Sequence, residues 1–222
     1  MNILEQLSSQ AEQVEVVEVL GENTSVGFEA NRLKSSQVEE TKGIALRAVK
    51  NGRLGFAASS DMSAMDKLVD NLLESAAHGD KVPIVFPAPQ PAAGVTVFDS
   101  SISERPVPRL VEIGREVIDV ILQAEPEARV NVVLERGIQH LALGNQAGTA
   151  ISFERSPFSI SIEISRMQGD DVLMMWDVVG TTLWDEDYLA SARRAAEKLK
   201  LAQKSADISS GRMPVLFSPS GA

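Results

Sequence analysis

The chain has 222 residues, of which 44% are hydrophobic, 23% charged and only 5% aromatic, the make-up of a soluble globular protein of one large or two modest domains. Thirty-one acids against twenty-one bases give a net charge of -10 and a pI near 4.8, which repels polyphosphate and anionic lipid and argues against direct binding to nucleic acid or membrane. The absence of cysteine excludes disulfides, thiolate zinc sites and cysteine nucleophiles within the chain, and with no basic leader and no long apolar run the expected compartment is the cytoplasm.

Leu4, Leu7 and Ala11 recur at helical spacing and predict a short opening helix. The period then changes to two. "VEVVEVL" (14–20) and "TSVGFEAN" (24–31) read as strands parted by a Gly21-Glu22-Asn23 turn, and "SQVEETKGIALRAVK" (36–50) reads as a strand running into Asn51-Gly52. Asn-Gly between alternating runs is a strong hairpin signal, because both residues accept the positive φ of a type I′ turn. A helix follows, with Ser63 and Asp66 at capping-box spacing and Met65, Leu68, Val69, Leu72 and Ala76 in one apolar stripe.

From Gly79 to Ser101, Pro83, Pro87, Pro89 and Pro91 forbid a regular helix and predict an extended connection. Pro106 and Pro108 then suit the first turn of a helix whose stripe is Leu110, Ile113, Val117 and Ile121. Strands are expected at 129–135, 138–145, 149–155, 158–167 and 172–180, and a last helix carries Leu189, Ala192, Ala196 and Leu199. Helix, four or five strands, helix thus occurs twice, which predicts an α+β fold of duplicated, largely antiparallel units flanked by helices. The expected division is residues 1–80, a proline-rich linker over 81–103, a second unit over 104–212, and at 213–222 the first strand of a further domain, so that the natural protein is expected to be longer.

No residue combination assembles a catalytic, metal or cofactor site on spacing alone. His78 and His140 are the only histidines and lack the H-E-x-x-H spacing that puts two imidazoles on one helical face. Asp170-Asp171 suits a hairpin turn, and Asp185, Glu186 and Asp187 suit the positive end of a helix. Gly52-Arg-Leu-Gly55 sits between strands and lacks the helix start of a phosphate loop. Arg193, Arg194, Lys198, Lys200 and Lys204 read as a solvated basic face, and neither Ser59-Ser60 nor Ser218-Pro-Ser220 has the Gly-x-Ser-x-Gly elbow of an activated serine. Arg47 and Arg53, beside the Asn51-Gly52 turn, are expected to bridge acids or carbonyls of neighbouring strands.

Taken in order, "GIALRAVKNGRLGFAASSDM", the amphipathic helix after it, the proline-rich spacer, the strand-rich block and "RMPVLFSPSGA" resemble the TldD/PmbA family, often labelled modulators of DNA gyrase. The "PVLFSP" end resembles PmbA-type members more than TldD-type ones. The resemblance implies two amino-terminal α+β domains of a cytoplasmic, two-subunit zinc-peptidase complex that processes microcin precursors and other small or unfolded polypeptides. It places zinc on an H-E-x-x-x-H helix of the TldD-type subunit's last domain, and no residue of this sequence matches that motif. The implied role is therefore non-catalytic, in subunit assembly and the substrate channel, with a paralogous TldD-type or identical subunit and a peptide as partners. "SQVEETK" (36–42) and "TAISFER" (149–155) are the strands expected to offer open edges to extended peptides. A rival reading is a free-standing peptide-binding or assembly module with no peptidase association.

Overall fold

The computed structural model describes residues 3–91, 94–169, 171–203, 207 and 209–217. In chain order the elements are α1 (Ile3–Ser8), β1 (Gln13–Glu29), β2 (Arg32–Lys50), β3 (Arg53–Ser59), α2 (Met65–His78), α3 (Ser100–Ser103), α4 (Val107–Ala124), β4 (Arg129–Asn145), β5 (Ala150–Arg155), β6 (Phe158–Gln168), β7 (Asp171–Thr181) and α5 (Ala190–Ala202). The fold is α+β. The seven strands form a curled sheet of order β3-β2-β1-β4-β6-β7, with β5 paired to β4 on the side β6 also uses. Every pairing is antiparallel.

Helices cover one face of this sheet in two groups. Even-numbered residues of β1, β2, β4 and β6 point toward them, which places Val14, Val16, Ile44, Leu46 and Ala48 with Leu7, Leu68, Val69 and Leu72 in a first core. Val26 and Phe28 from the far end of β1 join Val130, Val132, Leu134, Ile160, Ile162 and the inner residues of α4 and α5 in a second. Burying each of these large side chains stabilises by roughly 1.5–3 kcal/mol. The α2 and α4 stripes pack as their spacing predicts, and Pro108 lies in the first turn of α4 behind an extended Pro106.

Three local expectations are corrected. Gly21-Glu22-Asn23 is not a turn: β1 runs through it, paired with β2 on one side and β4 on the other. The first half therefore has three strands, not four, and β4 likewise fuses the runs 129–135 and 138–145. Ser63 and Asp66 form no capping box, since α2 begins after Ala64 with no side-chain cap, and the Ser63 N–H and hydroxyl both donate to Asp61 instead. Those bonds, the hydroxyl's first, hold the Asp61 carboxyl below its ordinary value. Asn51 and Gly52, by contrast, take φ 53 and 71 in the tight turn between β2 and β3.

The proline-rich connection crosses the sheet's other face. Gln13 Nε2 donates to Ile84 O at 2.8 Å, and Phe86 N to Gln13 Oε1 at 2.6 Å. The Pro87 carbonyl then accepts from Asn145 Nδ2 at 2.9 Å and Thr149 Oγ1 at 2.7 Å, so the linker is fastened to the turn that leads into β5. Residues 212–217 lie outside any helix or strand, with Val215, Leu216 and Phe217 exposed and, among the described residues, without a partner strand. Among the described residues no helix is long and apolar enough to cross a membrane.

Candidate functional site

The hairpin between β2 and β3 looks like an anion cradle, and it is one, already filled from within. The backbone N–H groups of Asn51 and Gly52 donate to the Glu12 carboxylate at 2.8 and 3.2 Å, satisfying the turn's free donors with a residue just before β1. Sequence reading missed Glu12. Arg47 pairs through Nε and Nη2 with buried Glu15 on β1 and lies 5.3 Å over the Phe86 ring. Arg53 donates to Gly79 O at 2.6 Å, at the end of α2. Gly55 and Gly79 serve close packing, since an added Cβ would meet Leu72 O at 2.6 Å and Leu54 O at 2.0 Å respectively.

The remaining flagged residues stay apart. His78 ends α2, while His140 Nδ1 lies 2.8 Å from Glu154 Oε1 on β5. Asp187 accepts an ion pair from Arg193, and Arg194 and Lys198 reach back to Asp177 at 2.9 and 2.7 Å. Asp170, Lys204, Ser218 and Ser220 lie outside the described residues. Among the described residues no group of three or more His, Cys, Asp or Glu could hold a metal ion, so zinc does not fit any donor set described in this chain.

Between α4 and α5 the structure assembles a polar cluster that spacing did not reveal. Arg109 Nη1 lies 2.9 Å from Glu116 Oε1, Arg109 Nη2 donates to Tyr188 Oη at 2.8 Å, and Tyr188 Oη donates to Glu116 Oε2 at 2.5 Å. The bond to Glu116, then burial, raises the Tyr188 hydroxyl above its ordinary value. Burial is the largest influence on Glu116 and pushes it up, but the bonds from Tyr188 and Arg109 together hold it low. Arg105 stacks 3.4 Å over Trp184, which meets Phe158 edge-on at 5.2 Å. The cluster pins α4 to the start of α5. Because the folded Glu116 titrates below its unfolded value, its stabilisation is complete above that unfolded value and is lost as pH falls through the folded one. Thermal melts of Glu116→Gln should therefore run below wild type at neutral pH and converge with it in acid, with a small gap because the pair is partly solvated.

The features able to meet another molecule are strand edges. Among the described residues β2 has a partner on its outer side only over Ile44–Lys50, leaving 32–43, which includes "SQVEETK", unpaired there. A groove of about 370 Å³ opens where that free edge begins, lined by Val17, Val19, Thr41, Gly43 and Ser60 among others. Among the described residues β5 is paired on one side only, and all six of its residues are exposed. Beside its end lies a cleft of about 680 Å³ lined by Asn23, Glu135, Gln139, Ser159 and Thr181 among others, with Arg155 Nε donating to Gln139 Oε1 at 2.6 Å. Each edge thus borders a depression on the sheet face opposite the helices. Such an arrangement can hold an extended chain by backbone hydrogen bonds while a groove takes alternate side chains.

A curled antiparallel sheet with helices on one face and open edges bordering grooves defines an α+β fold. Residues 14–76 match the family described as PmbA/TldA metallopeptidase domain 1. No curated protein matches the chain. Among solved structures the chain is similar to TldE from Thermococcus kodakarensis, with TM-score 0.77 and 16% identity over 90% of this chain and 46% of that one. It is also similar to two candidate modulators of DNA gyrase. The protein from Thermotoga maritima gives TM-score 0.73 and 10% identity over 88% of this chain and 46% of that one, and the protein from Bacteroides thetaiotaomicron gives 0.73 and 14% over 87% and 46%. The chain spans somewhat under half the length of each of these structures. The family match over residues 14–76 and the fold shared with these structures support membership of the TldD/PmbA family.

Proposed function

We propose that this chain is the amino-terminal, non-catalytic portion of a cytoplasmic TldD/PmbA-type zinc-peptidase complex, where it contributes to subunit assembly and to one wall of the substrate channel. The observation that carries this reading is the unpaired edge of β5 beside the cleft of Glu135 and Gln139. Backbone pairing along an edge needs little side-chain specificity, which suits a machine that accepts varied peptides and unfolded chains. In this reading zinc and the general base belong to a TldD-type subunit, and the partner is that paralogue or an identical, PmbA-type subunit. Direct DNA contact is no part of it, in keeping with the net charge of -10.

Purified residues 1–222 supplied with zinc should release no product from an unfolded casein substrate. They should nevertheless bind it, and Phe153→Lys on the β5 edge should weaken that binding about tenfold, as a lysine placed on an edge strand does. Chelator-sensitive cleavage by residues 1–222 alone would overturn the non-catalytic assignment. Unchanged casein binding by Phe153→Lys would remove β5 from the channel.

A further inference from the structure

The cleft beside the end of β5 has a floor that continues across the sheet. Ser25 of β1, Glu135 of β4, Ser159 of β6 and Gly180 of β7 stand in one register row, on the face opposite the helices, and the last three line the cleft of about 680 Å³. Serine and glycine on either side leave Glu135 the only long side chain of the row. A Cβ placed on Gly180 would meet nothing within 4 Å, so the floor is open toward β7.

Among the described residues that line the cleft, Glu135 alone is charged, and nothing around it supplies the opposite sign. Its Oε2 accepts a long bond from Ser159 Oγ at 3.3 Å, and no lysine, arginine or histidine among the described residues pairs with it. Ser25 and Ser159 directly across from it, Asn23, Gly27 and Ser161 on the diagonals, and Val133 and Gly137 along β4 are all neutral. Arg136, next in sequence, turns to the helix side, where its Nη1 donates to Ser103 O at 2.6 Å. Arg155 is bonded to Gln139 at the other end of the cleft. Gln139 lies four residues along β4, about 13 Å from Glu135, beyond the roughly 8 Å over which exposed charges act at physiological salt. The Asn23 carbonyl and the Ser159 hydroxyl beside Glu135 can accept from the remaining N–H groups of a cation held there.

Resting on the reading that an extended chain pairs along β5, we propose that this cleft is the subsite for a cationic side chain of that chain, lysine or arginine, with its charged head on Glu135. The topology delivers it there. β5 and β6 follow one another along the same side of β4, so a chain paired outside β5 and running past Arg155 arrives at the end of β7, where Gly180 leaves the floor open. A glutamate carried to the same place would face Glu135 across neutral side chains and be repelled.

The test uses residues 1–222 at physiological salt and three eight-residue peptides of alternating threonine and valine that differ in one central residue: lysine, norleucine or glutamate. Wild type should hold the lysine peptide about fivefold more tightly than the norleucine peptide, the upper end for an ion pair in contact with solvent, and the glutamate peptide more weakly than either. The net charge of -10 gives any cation a general advantage, so the variants decide. Glu135→Gln should bring the lysine advantage below about twofold and leave norleucine-peptide binding unchanged, which shows the edge intact. Glu163→Gln removes the same unit of charge from the same face, four residues along β6 from Ser159, and should keep the advantage. Ser159→Lys, which sets the chain's own cation opposite Glu135, should abolish it. An equal lysine advantage in wild type and Glu135→Gln, or an equal loss of it in Glu163→Gln, would overturn the proposal. Equal binding of the three peptides by wild type would remove the subsite and leave the β5 edge standing, whereas failure of all three to bind would overturn both.

Discussion

Gly114→Ala should destabilise the protein by about 1–3 kcal/mol, although the same change in an isolated α4 peptide should raise helicity. Intrinsic propensity favours alanine by roughly 1 kcal/mol, so a loss in the folded protein must come from packing. Gly114 lies one turn after Leu110, a position the apolar stripe would fill with a large residue, and here the ring of Phe28 from β1 occupies that space. A Cβ on residue 114 would stand 2.2 Å from Phe28 Cε2 and 2.8 Å from Cζ. The ring is itself fixed by the second core, so it cannot swing aside at low cost. Phe28→Leu should make room. The double variant Phe28→Leu with Gly114→Ala should exceed the sum of the single variants by at least about 0.5 kcal/mol in chemical denaturation, and strict additivity would show that the α4–β1 approach is not what Gly114 sets.

This contact also bears on how far the sequence could be read. Helix stripes, the Asn51-Gly52 turn and the extended linker each have a local physical cause, and each is legible. The long strands were not, and the reason lies in the fold. Gly21 is paired with Gln139 and Asn23 with Gly137, so the two apparent breaks stand opposite each other across β1 and β4. They form a polar waist between the two cores, where neither helical layer covers the sheet and Glu18, Leu20 and Glu22 are exposed. A waist of glycine and polar residues imitates a pair of turns when each strand is read alone. It is also where the cleft opens, lined by Asn23 and Gln139. The free edges of β2 and β5 could be named in advance because 36–42 is polar at every position but Val38, and β5 alternates Ile151 and Phe153 with Ser152 and Glu154. β7 could not, because "VLMMWDVVG" is apolar at both parities and reads as an interior strand. Only the placement of Asp177 against α5 shows which face is covered.

Arg47→Met should cost about 3 kcal/mol, at the low end of the range for breaking a buried ion pair, whereas Glu15→Gln should cost only about 1 kcal/mol. The asymmetry follows from solvation. The Glu15 side chain is 3% exposed and the Arg47 side chain 44%. An arginine left alone turns to water, while a carboxylate left alone stays buried. Replacing both residues by methionine should recover most of the loss, because a dry apolar pair carries no unpaired charge. Beyond stability, the pair lies in register with the residue that seats the turn into β5. Glu15 stands between Arg47 on β2 and Asn145 on β4, and Asn145 holds the Pro87 carbonyl together with Thr149, the residue before β5. Loss of Arg47 removes the cation over Phe86, so hydrogen exchange of the Phe86 amide, bonded to Gln13, should accelerate in Arg47→Met more than in Glu15→Gln. Casein binding should weaken in the same order, through looser seating of the linker against the turn that presents the β5 edge. Equal exchange rates in the two variants would separate the ion pair from the linker and leave it a purely local contribution to the sheet.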